Sequence, residues 1–154
     1  MRRRAARESA LQILYGVESQ GDYSLSRVPE LVETFFVHFG NRLATDAEFL
    51  EIILKGTFLK LDAFNELISM KSENWKLERM TIVDRNILRI ALYEVMYIDE
   101  IPCSVTINEA VEVAKRFGTE ESGAFINAIL DQIRKNLPAN PNKAKDDTID
   151  DKSG

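Results

Sequence analysis

The amino-acid sequence predicts an all-α protein, and three observations lead there. Apolar residues recur at three-and-four spacing along nearly the whole chain, and no run of four or more residues alternates convincingly with period two. The periodic stretches end at breakers such as Gly21, Gly40, Gly118 and Pro138, and several begin at residues able to cap a helix. The 154 residues, 45% hydrophobic and 29% charged, supply one core of ordinary size and leave no room for a second typical domain.

Each element has its own warrant. A first helix over residues 4–20 carries Ala10, Leu11, Leu14 and Val17 on one side, and an arginine segment forms its first turn. Pro29 suits a first helical position, where its missing N–H costs nothing, and Leu31, Val32, Phe35, Phe36 and Phe39 follow until Gly40. Asp46 caps a third, long helix running to about Met70. Its stripe is Phe49, Ile52, Ile53, Gly56, Leu59 and Ala63, with Gly56 suited to a close helix crossing. Trp75 and Leu77 fall in a short connection.

Thr81 and Asp84 have the spacing of a capping box with Asp in place of Glu, which starts a fourth helix. Its broad apolar face, Ile87, Leu88, Ala91, Leu92 and Val95, marks it as the central one. Ser104 caps a fifth helix bearing Ile107, Ala110, Val111, Ala114 and Phe117, with Gly118 as the residue just past its end. Thr119 caps a sixth with Phe125, Ile126, Ile129, Leu130 and Ile133. Residues 138–154 lack periodicity and read as a disordered tail, leaving 1–137 as the folded unit.

Composition excludes several function classes. The longest stretches without a charge are nine residues, Ser9 to Val17 and Ser122 to Leu130, far short of a membrane span. No secretory signal is recognisable at the N-terminus, so a cytoplasmic protein is expected. One cysteine, Cys103, and one histidine, His38, supply neither an intrachain disulfide nor a Cys/His zinc site. No GxxxxGK or GxGxxG occurs, and His38 has no carboxylate three or four residues away to build a triad. The expectation is a protein with no catalytic residues, metal or cofactor.

Charge gives the one positive signal. The chain is acidic overall, with a net charge of −5, yet Arg2, Arg3, Arg4 and Arg7 all precede the first acid, Glu8. On a helix Arg3 and Arg7 share a face with Arg4 close by, so three guanidiniums can meet one phosphate backbone. A basic terminus that merely solubilises the chain fits the same charges, and charge alone leaves the two readings open.

Longer motifs carry a resemblance. RRRAARE at residues 2–8 with Ala10, Leu11, Gln12 and Leu14-Tyr15, VDRNILRIALYE at 83–94, IP at 101–102, INEAVEVAKRFGTEESGAFIN at 107–127 and Leu130-Asp131 together resemble the bacterial transcription antitermination factor NusB family. The resemblance spans residues 2–135 and is weakest over 20–70. Ala128 departs from it, where the family commonly has Gly.

The resemblance implies two packed helical subdomains and a role without catalysis. It implies binding to boxA-type single-stranded RNA of ribosomal RNA leaders, together with the small ribosomal subunit protein NusE, within the RNA polymerase antitermination complex. Residue by residue it implies RNA contacts for Arg3, Arg4, Arg7, Tyr15, Phe117, Glu121 and Phe125, and contacts to NusE for Asp84 and Arg89. Two other readings stand beside it. One is an RNA-recognition subunit of an enzyme that modifies ribosomal RNA. The other is a structural helical homodimer that buries the arginine arm when free.

Overall fold

The computed structural model describes residues 1–71 and 77–146, apart from the side chains of Lys71 and Glu78. Among them are seven α-helices and no strand: α1 (Arg2–Glu18), α2 (Val28–His38), α3 (Ala47–Leu59), α4 (Leu61–Lys71), α5 (Ile82–Tyr97), α6 (Cys103–Phe117) and α7 (Ser122–Lys135). The all-α expectation holds. Trp75 lies outside the described residues.

Helix α5 is the hub, packing against α1, α3, α4, α6 and α7. On one side of it α1, α2 and α3 pack together, and on the other α6 and α7 pair and are joined by α4. Its Leu88 and Leu92 are fully buried, as are Leu14 of α1, Leu50 and Ile53 of α3, and Ile126 of α7. At about 1.5–3 kcal/mol for each large apolar side chain, this shared interior is the main stabilising element of the fold.

The single long third helix of the sequence reading is two helices. Lys60 (φ −105, ψ 16) leaves the helical path after its N–H has reached the Gly56 carbonyl at 3.0 Å. Phe64 N–H then bonds the Lys60 carbonyl at 2.9 Å, so α4 begins with little loss of backbone pairing. The turn lets the fully buried Phe64 and Ile68 serve a helix that packs on α5 and α7. Gly56 does permit a close crossing, because a Cβ there would overlap the Tyr93 ring of α5.

Two expected caps form and two do not. Asp46 Oδ1 accepts from Phe49 N–H and Thr81 Oγ1 accepts from Asp84 N–H, each at 3.0 Å. Helix α6, however, starts two residues earlier than expected, with Pro102 at its cap position. Ser104 there donates its own N–H to Asp146 Oδ1 at 2.9 Å. Thr119 likewise donates its N–H to Ser122 Oγ at 2.9 Å and does not cap α7. Gly118 is needed for space and not for a left-handed turn. Its φ is −97, and a Cβ would meet the Ser122 side chain and the Ala114 carbonyl.

Residues 138–146 have no regular secondary structure but are anchored to the helices. Lys143 Nζ donates to the carbonyls of Glu94 (2.8 Å) and Ile98 (2.6 Å), and Ala144 N–H reaches the Asp99 carbonyl at 2.7 Å. Asp146 joins Ser104 to Arg134, whose Nη1 lies 3.0 Å away. The charged groups of this segment complete helix ends, a use that a reading of apolar periodicity does not register. Residues 147–154, the rest of the expected tail, lie outside the described residues.

Candidate functional site

The arginines of α1 sit at graded depths. Arg2 Nη2 donates to the Thr45 carbonyl at 2.9 Å. Arg3 lies over the Phe49 ring at 4.7 Å with Asp46 and Glu100 at 3.7 and 3.6 Å. Arg4 grips Glu109 of α6 through Nε and Nη2 at 2.8 and 2.7 Å. That hydrogen bonding lowers the Glu109 carboxyl below its usual range and raises the Arg4 guanidinium further.

Arg7 belongs to the interior. Its side chain is 8% exposed, it binds Glu94 of α5 through Nε and Nη2 at 2.8 and 2.7 Å, and Thr106 Oγ1 holds the same carboxylate at 3.2 Å. Arg3, Arg4 and Arg7 therefore do not form one outward row. Arg7 falls in the same helical stripe as Ala10, Leu11 and Leu14, which faces the core.

An exposed cationic edge forms where α1 meets α6. Met1, Arg4 and Glu8 on one side and Glu112, Lys115 and Arg116 on the other bound an open groove of about 470 Å³. Arg116 pairs with Glu8 at 2.7 Å, yet its side chain is 67% exposed, and its guanidinium lies 5.1 Å from the Phe117 ring. Lys115 pairs with Glu112 at 3.2 Å, also in solvent. A pair exposed on both sides, such as Lys115–Glu112, is worth about 0–1 kcal/mol and exchanges readily for another anion, and Arg116 presents its guanidinium to solvent although Glu8 is half-buried. Lys115 and Arg116 are not among the candidate residues of the sequence analysis. The signal for them was two cations immediately before an aromatic in the last turn of a helix.

Beyond Phe117, which is half-buried against the core, the chain turns a corner into α7. Glu121, Ser122 and Phe125 form one wall of a pocket of about 150 Å³, and Met80, Thr81 and Asp84 contribute the other. Both helices present their N-termini there, α5 at Thr81 and α7 at Glu121. Asp84 is 8% exposed, and its buried Oδ1 has no hydrogen-bond partner among the described residues, so the reciprocal half of the capping box is not made. The geometry thus brings Asp84 together with Glu121 and Phe125. Tyr15 is exposed on α1.

Arg89 is not at a surface. It is buried, with Nε on Asn65 Oδ1 and Nη1 on Glu18 Oε1 and Asn86 Oδ1, all at 2.9 Å. Glu18 also receives Arg85 Nη2 at 3.0 Å. Burial pushes the Glu18 carboxyl up, but Arg85, Arg89 and Asn86 outweigh it and the group ends below its usual range. A central helix has no solvent face at this position, so the charge is spent tying α1 and α4 to α5. Among the described residues no group of His, Cys, Asp and Glu could hold a metal ion, and no helix is long and apolar enough to cross a membrane.

Relatives agree with this architecture. The NusB family model matches residues 4–135. A protein of Desulfitobacterium hafniense named transcription antitermination protein NusB is 41% identical over 148 residues, covering 95% of this chain and 97% of its own length. One of the same name from Bacillus cereus is 44% identical over 137 residues, covering 89% of this chain and all of its own. The solved T. maritima NusB is 37% identical with a TM-score of 0.76, over 90% of this chain and 94% of that one. A structure of the antitermination factors NusB and NusE in complex with double-stranded RNA is 22% identical. It shares the fold, with a TM-score of 0.71 over 87% of this chain and 96% of that one.

Proposed function

The chain belongs to the NusB family of transcription antitermination proteins and is not an enzyme; on that premise we propose that it binds boxA-type single-stranded RNA of ribosomal RNA leaders together with NusE. By holding both it helps RNA polymerase read through terminators, and it does so in the cytoplasm. The observation that carries the reading is the edge formed by exposed Lys115 and Arg116 beside Phe117, with half-buried Arg4 across the groove.

Phosphates take Lys115 from its solvated pair with Glu112 and bind the exposed Arg116 guanidinium beside Glu8, contacts that release counterions. Arg3 and Arg4 extend the phosphate path along α1, and Tyr15 offers an exposed ring on the same helix. Bases then turn toward Phe117 and the corner pocket, where Phe125 supplies an apolar wall and Glu121 accepts from base amino or imino groups. Arg7 takes no phosphate in this scheme. It acts by holding α1 against α5 and α6.

NusE meets the N-terminal end of α5 at Asp84, and Arg89 supports that helix from inside. That a protein of the same fold has been solved with NusE and RNA supports this pairing of partners. Because the same corner serves both, their coupling is reciprocal: if NusE raises the affinity for RNA, RNA raises the affinity for NusE by the same factor.

Titrating a boxA-like strand and a scrambled strand, each with and without NusE, tests the reading. Preference for the boxA-like strand that grows when NusE is added is expected. Equal affinity for both strands, unchanged by NusE, would overturn it.

A further inference from the structure

We propose that the groove along α3, on a face separate from the RNA edge, is a docking site for an acidic amphipathic helix of a partner protein. Ile52, Lys55, Gly56 and Leu59 lie at the spacing i, i+3, i+4, i+7, so they form one stripe two turns long, about 10 Å. Beside it stand Tyr93 and Tyr97 of α5 and, across from them, Leu25, bounding an open groove of about 710 Å³. The apolar lining is unusually exposed: Ile52 is 43%, Leu59 64% and Tyr97 44% accessible.

The occupant is indicated by charge and by stacking. In a chain with 25 acids and 20 bases, the described residues lining this groove include two lysines, Lys55 and Lys60, and no acid. Among the described residues Lys55 pairs only with Glu51, at 3.3 Å in solvent, a contact easily exchanged for a partner's carboxylate. A nucleic-acid strand fits less well, because the Tyr97 ring is already occupied. Tyr93 stacks on it at 5.3 Å, and the Lys60 ammonium lies over it at 5.3 Å. With Tyr97 already in contact with Tyr93 and Lys60, the exposed aliphatic side chains Ile52 and Leu59 carry the contact, and those match the apolar stripe of a helix seated in a groove. Asp84 and Tyr97 are thirteen residues apart on α5, about 20 Å along its axis, so this face is distinct from the corner pocket.

The probe is a synthetic helix of about four turns, with leucines at i, i+4 and i+7 and glutamates elsewhere, titrated against the full chain by amide chemical shifts. Shifts confined to α3, Leu25, Tyr93 and Tyr97 are expected. Leu59→Glu and Lys60→Glu should each weaken binding about tenfold or more while leaving the melting temperature and RNA affinity unchanged. The same helix with lysines in place of glutamates should bind at least about tenfold more weakly. Equal binding of the acidic and basic helices, or no shifts in the groove, would overturn the proposal. So would displacement of the helix by oligouridine at these residues, which would mark a nucleic-acid site. Self-association abolished by Leu59→Glu would also overturn it, by marking a second copy as the occupant. None of these outcomes bears on binding at the α1–α6 edge.

Discussion

A guanidinium placed between helices is stripped of water at a cost of several kcal/mol unless a carboxylate meets both arms of its fork. Glu94 meets Arg7 in that way at 2.8 and 2.7 Å. Arg7→Ala leaves Glu94 buried and unpaired, and it should cost roughly 3–5 kcal/mol in urea denaturation. Arg116→Ala, in solvent, should change stability by no more than about 0.5 kcal/mol. The burial of Arg7 was legible in principle, since it shares a stripe with Ala10, Leu11 and Leu14. What the sequence does not display is the buried acid on another helix that makes such a placement tolerable. Glu121 is the converse case, an acid at a corner where RNA is proposed to pass. Glu121→Asn should alter the preference for a boxA-like over a scrambled strand with little change in melting temperature; an unchanged preference would reduce it to a charge favoured by the helix N-terminus.

Helix ends decide the next scale. Asp46 and Thr81 cap the helices that follow them because their side chains need only reach their own next turn. The N-terminus of α6 is served instead by Asp146, from more than forty residues away, and the C-terminal carbonyls of α5 by Lys143. No local pattern announces a cap of that range, and likewise neither Gly nor Pro marks the break at Lys60. Removing residues 140–154 should therefore lower the melting temperature by several degrees, as expected for about 1–2 kcal/mol of lost capping.

The same contact has a pH signature. Burial raises the Asp146 carboxyl, but Ser104 and Arg134 outweigh it and hold it below its ordinary 3.8. A carboxyl depressed in the folded state contributes stability above its unfolded value and loses it as pH falls through the folded one. The stability difference between wild type and Asp146→Asn should be full at neutral pH and vanish in strong acid. A difference independent of pH would show that the carboxylate charge is not what anchors the segment.

At the scale of the whole molecule, α5 joins the α1–α3 group to α6 and α7 and so fixes the angle between the two helices that carry cationic side chains. Its apolar face was plain in the sequence, as were the helical class and the family motifs, because burial repeats with the period of the helix. The edge itself was only half visible. Arg3 and Arg4 announce themselves at the terminus, whereas Lys115 and Arg116 join them only once α6 is laid beside α1. The account's central claim is that this joint edge grips the RNA backbone. Its most direct test is the salt dependence of binding to a boxA-like strand, for the wild type and for a triple Arg4, Lys115 and Arg116 to Ala variant. If Arg3, Arg4, Lys115 and Arg116 each neutralise one phosphate, log K should fall with log salt at a slope of roughly −3 in the wild type and flatten to roughly −1 in the variant, which keeps Arg3. A variant that keeps both the affinity and the slope of the wild type would contradict the claim.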